Sequence, residues 1–311
     1  DIDYSKDGRS SDKTVATNQF EDYARGDFEQ LSREDGFANY DKACGVPEED
    51  AYVMSDETRA AVEENVFGIY DGTKYNNDSD EMPAMGADNG LQLADLTGKD
   101  YDDADWDKLL DQLSFEDMAT LINVGGWQTA EIKSVGKIAT SDCDGPAGLN
   151  NFITKAYGTA YPSEVLMAQT WNKELANEIG VSMGQEYVDA DNYGWYGPAM
   201  NIHRTAFAGR NFEYYSEDGV LSGDIATSAI QGAQAHGVYA YMKHFALNDC
   251  EQDRIGLGVW LSEQAAREVY LKAFQDVFEE GNANGTMVAY TRWGCIWSGG
   301  NKGLMTGIMR N

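Results

Sequence analysis

Cysteine is scarce in this chain. There are four in 311 residues, Cys44, Cys143, Cys250 and Cys295, with no CxxC spacing and no accompanying histidine pattern. That excludes a structural zinc site and leaves free thiols as the simple reading. Cys143 and Cys250 each sit inside a motif discussed below, where a thiol would make a site sensitive to modification. Long apolar runs are missing too. None approaches the roughly 18 residues that a membrane-spanning helix needs, so no membrane partner is expected. The start, Asp1-Ile2-Asp3-Tyr4, lacks the basic head and apolar stretch of an export signal. It reads as a mature or internal start, which leaves the compartment open. Basic residues are few: 23 against 53 acids, a formal charge of -30. A field of that sign repels phosphate backbones and excludes nucleic acid as a partner. It suits a soluble protein acting on an uncharged substrate, although solubility alone explains it equally well. No cofactor or metal is expected.

What is present is enough for a folded core. Hydrophobic residues make up 42% of the chain, and the length fits one or two domains. Residues 1–104 are acidic and weakly periodic, rich in Asp, Asn, Gly and Ser. They read as an irregular arm that packs on the rest. Helices are predicted over about 18–31 and about 56–66, the second capped by Ser55, and a polar stretch over 75–90.

From 105 onward the pattern sharpens. Trp106, Leu109, Leu110 and Leu113 repeat at helical spacing, and Ser114 to Asp117 looks like a capping box for a helix to Ile122. Strands are then predicted at 138–141, 194–202, 238–247 and 286–290. Helices are predicted at 163–189, 219–236, 262–281 and from 304. In the first of these, Ser163 is the expected cap and Leu166, Leu175, Ile179 and Met183 the inner face. Each strand-like run ends in a polar cluster. That rhythm is how a (β/α) barrel builds a site at the carboxyl ends of its strands. Four strand–helix pairs are visible and a closed barrel needs eight. The expectation is therefore a (β/α)8 TIM-barrel-like domain at 105–311 of which this chain holds about the first half. The remaining half would come from further sequence or a second polypeptide.

The polar clusters are specific. Gly209-Arg210-Asn211-Phe212-Glu213-Tyr214-Tyr215-Ser216-Glu217-Asp218, followed by Lys243-His244-Phe245, resembles the catalytic barrel of family 3 glycoside hydrolases, the β-glucosidase and β-xylosidase group. The resemblance covers about 106–311. It implies an exo-acting retaining enzyme that takes a terminal β-linked glucose or xylose from an oligosaccharide or aryl glycoside.

Such a reaction needs two carboxyl groups and a cage of donors around the sugar hydroxyls. Asp144, in Asp-Gly-Pro, can accept two hydroxyl bonds with charge-assisted strength. As a bare motif it reads more readily as a turn aspartate, and the later motifs reverse that preference. Arg210 has a planar fork able to hold a hydroxyl and a carboxylate together. Glu213 could be that carboxylate or a catalytic group, and a structural ion pair with Arg210 is the preferred reading. Lys243 and His244 are neighbours whose side chains can share one ligand only where the strand end turns. Their placement at a strand end predicts that replacing them spares stability. The resemblance assigns sugar binding to Asp144, Arg210, Lys243 and His244, matches Arg254 to an arginine near that site and Tyr290 to a tyrosine beside the nucleophile, and so adds both to the expected substrate-binding residues. A surface salt bridge from Arg254 to Glu251 or Asp253 is its bland alternative, and core packing that of Tyr290. His203 and Arg204 are weaker candidates.

Two catalytic groups are not in the quoted motifs. The family's nucleophile is an aspartate in a Ser/Thr-Asp-Trp/Tyr motif, expected downstream of Asn311. The general acid lies in another domain in β-glucosidase-type members. The N-acetylglucosaminidase branch carries an Asp-His after Lys-His-Phe, and residues 246–254 contain none. Ala206-Phe207-Ala208 replaces a usual Pro-Leu-Gly, and Cys250 a usual glutamine. A non-catalytic sugar-binding or assembly subunit is the alternative function. A metal-dependent barrel enzyme using His203 and His244 is a third.

Overall fold

The computed structural model describes residues 31–44, 53–65, 71, 73, 79 and 81–310. The helix expected over about 18–31 lies outside the described residues but for Leu31, as does most of 75–80. Two short helices come first, α1 (Tyr40–Cys44) and α2 (Asp56–Asn65). The Ser55 hydroxyl accepts from the Thr58 amide at 3.1 Å, satisfying one of the donors that a first helical turn leaves free. The Leu31 carbonyl accepts from the Gln264 side chain at 3.0 Å, so this early segment touches the later domain.

Next come α3 (Asp105–Leu110) and α4 (Phe115–Asn123). The capping box forms as the sequence predicts. The Asp117 amide donates to the Ser114 hydroxyl at 3.1 Å, and the Ser114 amide donates to the Asp117 carboxylate at 3.0 Å. Leu96, Leu109, Leu113, Ala130, Ile132 and Val135 close a small core of their own. Gln112 ties the preceding segment to it, donating to the Leu91 carbonyl at 2.8 Å and accepting from the Leu91 amide at 2.7 Å.

The main sheet begins with β1 (Gln128–Thr129), antiparallel to β2 (Thr140–Asp144). A hairpin of β3 (Asn150–Asn151) and β4 (Ala156–Tyr157) borders β2. The helices α5 (Glu164–Gln169) and α6 (Lys173–Asp189) lead to β5 (Gly194–Tyr196). Then α7 (Gly219–Gln234) leads to β6 (Tyr239–Phe245), and β7 (Gly258–Val259) follows. The short α8 (Glu263–Ala265), a π turn at Ala266–Tyr270 and α9 (Lys272–Glu279) lead to β8 (Gly285–Val288). β9 (Arg292–Trp293) and β10 (Ile296–Trp297) join β7 in a second small sheet. Strands β2, β5, β6 and β8 run parallel, side by side in chain order, with helices between them. That is TIM-barrel-like α/β architecture, with four of the strands.

Several boundaries move. The helix expected over 163–189 is two helices, because Trp171 takes a left-handed φ of 54° and Asn172 then caps a new start, accepting from the Leu175 amide at 3.0 Å. Ser163 makes no side-chain cap bond. Leu166 and Leu175 face outward; the buried face is Ala176, Gly180, Met183, Gly184 and Tyr187. Small residues sit there because α6 and α7 touch backbone to backbone. A Cβ on Gly184 would meet the Ala233 carbonyl at 2.7 Å. The strand expected over 194–202 stops at Tyr196, and Ala199 makes an isolated bridge to Lys243 beyond Pro198, which has no amide to donate. The helix predicted over 262–281 is broken by the π turn. The last helix is a second π turn, Gly303–Ile308.

The main core lies between sheet and helices. Cys143, Trp195, Met242 and Phe245 from the sheet meet Met183, Tyr187, Ile225, Phe274 and Val277. Strand alternation sends Cys143 into that core and Asp142 and Asp144 to the opposite face.

Candidate active site

The four parallel strands end on one side, so groups at their carboxyl ends converge. Asp144 is the last residue of β2 and Lys243 lies near the end of β6. Lys243 donates to Asp144 Oδ1 at 2.6 Å. Only 1% of the lysine is exposed, whereas Asp144 is partly open to solvent. The Gly145 amide also donates to Oδ1, at 3.0 Å, which leaves Oδ2 for a ligand. A buried ammonium needs such an acceptor. The Glu213 carboxylate lies 3.8 Å away, an ion-pair neighbour beyond hydrogen-bond reach.

Glu213 closes the turn Asn211–Glu213 after β5 and is buried. Its other oxygen, Oε1, accepts from Arg210 Nε. This is the structural ion pair expected from the sequence. Arg210 also reaches Glu251 at 3.9 Å, and Glu251 binds Arg254 at 2.6 Å. The Arg254 guanidinium lies over the Tyr290 ring, 4.6 Å from its centre, within cation–π range. Tyr290 itself is 52% exposed, so it is not packed core.

His244 enters the same network from the other side. The chain register against β8 shifts between Lys243 and Phe245, which re-aims the side chains at this strand end. The peptide joining Lys243 and His244 is cis. His244 Nδ1 contacts the Tyr214 hydroxyl at 3.2 Å, leaving Nε2 as the ring nitrogen for a ligand. Asn248 donates to that hydroxyl and to Glu251, each at 2.7 Å. Burial pushes the His244 pKa well below the usual histidine range, and Arg210, Lys243 and Arg254 push it the same way. The ring is therefore a neutral hydrogen-bonding group. Asn201 clamps the His244 backbone, accepting from its amide at 2.7 Å and donating to its carbonyl at 2.9 Å.

All six sequence-predicted residues thus meet in one chain of contacts: Asp144, Lys243, Arg210, Arg254, Tyr290 and, through Tyr214, His244. Glu213 and Glu251 are its hubs. Lys243 and His244 are buried, which corrects the expectation that these strand-end residues lie outside the core, the ground for expecting their replacement to spare stability. His203 and Arg204 stand apart. His203 Nε2 is buried without a partner, and Arg204 lies over Tyr270 at 5.9 Å. Cys143 faces the helical core, where burial pushes its thiol up to about 11, so it is no reactive group. Sequence reasoning missed Asn201, Tyr214 and Asn248 as site residues. Asn201 between Met200 and Ile202, and Asn248 after Leu247, were legible as polar residues set in apolar runs. Among the described residues, no cluster of His, Cys, Asp and Glu is arranged to hold a metal ion, and no helix is long and apolar enough to cross a membrane.

This arrangement presents neutral and charged donors beside a half-free carboxylate, the chemistry of a polyhydroxylated ligand. Comparison with known proteins agrees. The model for the glycosyl hydrolase family 3 N-terminal domain matches residues 114–311. The chain belongs to glycosyl hydrolase family 3. Beta-glucosidase A of Butyrivibrio fibrisolvens is 40% identical over 210 residues, 64% of this chain and 25% of that protein. An exo-alpha-(1->6)-L-arabinopyranosidase of Bifidobacterium longum is 31% identical over 64% of this chain and 28% of its own length. Beta-glucosidase 3B of Thermotoga neapolitana, solved with alpha-D-glucose, superimposes with a TM-score of 0.60 at 36% identity, over 65% of this chain and 32% of that one. The chain therefore spans about a quarter of the length of these curated relatives.

Proposed function

We propose that this chain supplies the sugar-binding part of an exo-acting retaining β-glycosidase that removes a terminal β-linked glucose, or xylose, from oligosaccharides or aryl glycosides. The single observation that carries the reading is the Asp144–Lys243 pair at 2.6 Å, a half-open carboxylate fixed by a fully buried ammonium. Held so, Asp144 accepts sugar hydroxyls through Oδ2, while Arg210 and His244 donate to neighbouring hydroxyls. Arg254 and Tyr290 line the side of the ring. The relatives' names favour an enzyme over a non-catalytic subunit, and glucose over xylose. An arabinopyranosidase among them fits tolerance of pentopyranoses.

Neither carboxylate of retention is assigned within residues 1–311. Asp144, Glu213 and Glu251 are each committed to a cation. In this proposal the nucleophile and general acid come from sequence outside this chain, with the other barrel half and a second domain, in cis or as another polypeptide. Residues 1–104 act as an arm on the barrel part at 105–311. The 311-residue chain assayed alone against aryl β-glucoside and β-xyloside should be inert, because removing a nucleophile leaves only a residue of the rate enhancement. Enzyme-like turnover abolished by a substitution within the chain would show that the nucleophile is already here.

A further inference from the structure

Glu164 opens α5 directly after Pro162-Ser163 and is 1% exposed. Neither of its carboxyl oxygens has a hydrogen-bond partner beyond its own backbone amide. An ionised carboxylate in that condition is among the costliest groups a protein can hold. The charges that face it are Glu213, Lys243 and Arg210, and the buried Tyr215 lies beside it. Helix α7, which packs on α5, carries only Asp224, bonded outward to Lys173 at 2.8 Å.

The cations near Glu164 are already engaged. Arg210 is paired with Glu213, and Lys243 with Asp144 at 2.6 Å and Glu213 at 3.8 Å. Two cations thus balance two carboxylates. A third negative charge would compete with Glu213 for both cations, and would draw Lys243 away from Asp144. Burial raises the Glu164 pKa well above the usual carboxylate range, and Glu213 adds to the effect.

We propose that Glu164 is a neutral carboxylic acid in the working enzyme and a positioning residue: by staying uncharged, it leaves Arg210 and Lys243 to Glu213, Asp144 and the sugar. The inference rests on the sugar-site reading of those two cations. It implies a limit on the alkaline side. Once the Glu164 proton is lost, the Asp144–Lys243 geometry loosens and sugar affinity falls.

The test uses the full encoded polypeptide that contains this chain, with glucose as the probe. Difference infrared spectroscopy at neutral pH should show a protonated-carboxyl band that Glu164→Gln removes. Calorimetric titration with glucose across pH should show affinity falling at the alkaline end. Glu164→Gln, neutral at every pH, should keep neutral-pH affinity within about a factor of two and shift or abolish the alkaline fall. A tenfold or greater loss at neutral pH, an unmoved alkaline limb, or no infrared band lost would each overturn the proposal. So would failure of the Gln variant to fold, since glutamine reproduces the shape and charge of the neutral acid. If the unaltered protein binds no glucose at any pH, the sugar-site reading fails instead, and the infrared band still reports on Glu164.

Discussion

Lys243 bears on both stability and binding, because its ammonium is sealed inside the fold, paired with Asp144 at 2.6 Å and Glu213 at 3.8 Å. Replacing it with methionine keeps the stem and removes the charge. Glu213 is then left buried with Arg210 alone. The expected loss is about 3–5 kcal/mol of stability, the scale of a broken buried pair. Thermal unfolding of Lys243→Met measures it, and an unchanged melting temperature would mean the pair is stability-neutral. A second residue titrates usefully. Asp249 is half-buried beside Tyr270 and Arg204, and burial raises its pKa from 3.8 to about 6. The unfolded chain gives up this proton near pH 4 and the folded one only near 6, so between them the folded state binds more protons. Stability from this group is full below about pH 4, falls as pH rises, and levels off above about pH 6. The total is about 2–3 kcal/mol. Asp249→Asn should flatten that part of the stability–pH curve; a variant that keeps the slope would assign it elsewhere. Strand-end polar clusters drew attention to Asp144, Lys243 and His244 in the sequence, and the family resemblance of their motifs added Arg210, Arg254 and Tyr290. Glu164 was not visible there. It sits in an ordinary helix start, and only the fold turns it toward Glu213.

At the scale of elements, the parallel strands were legible as short apolar runs, each followed by a polar cluster. Their ends were not, since Pro198 and the shift after Lys243 interrupt pairing without changing the hydrophobic pattern. The helix over 163–189 misled for a related reason. Helical spacing continues through Trp171, but a left-handed backbone there resets the phase, and the apolar Leu166 and Leu175 turn outward. What the inner face needs is smallness. A Cβ on Gly180 would run into the Ala229 carbonyl of α7. Gly180→Ala should therefore destabilise the protein by about 1–3 kcal/mol, despite alanine's better helix propensity. Chemical denaturation decides it, and a stabilised variant would show that α6 and α7 can move apart.

Across the whole molecule, a strongly acidic surface surrounds a site built on three cations, Lys243, Arg210 and Arg254, each matched to a carboxylate. Such a site is close to neutral, which suits a sugar better than an anion. The half-barrel reading from the sequence agrees with four parallel strands in chain order, with β8 last in that order among the described residues. The central claim is that Asp144, fixed by Lys243, grips the terminal sugar of a β-glycoside. Steady-state kinetics of the full encoded polypeptide on an aryl β-glucoside, with Asp144 and with Asp144→Asn, test it most directly. The account predicts hydrolysis by the first and a loss of roughly 2–4 kcal/mol in transition-state binding for the second, about thirty-fold to a thousandfold in kcat/KM, at an unchanged fold. An Asp144→Asn enzyme with near-normal kcat/KM would contradict it.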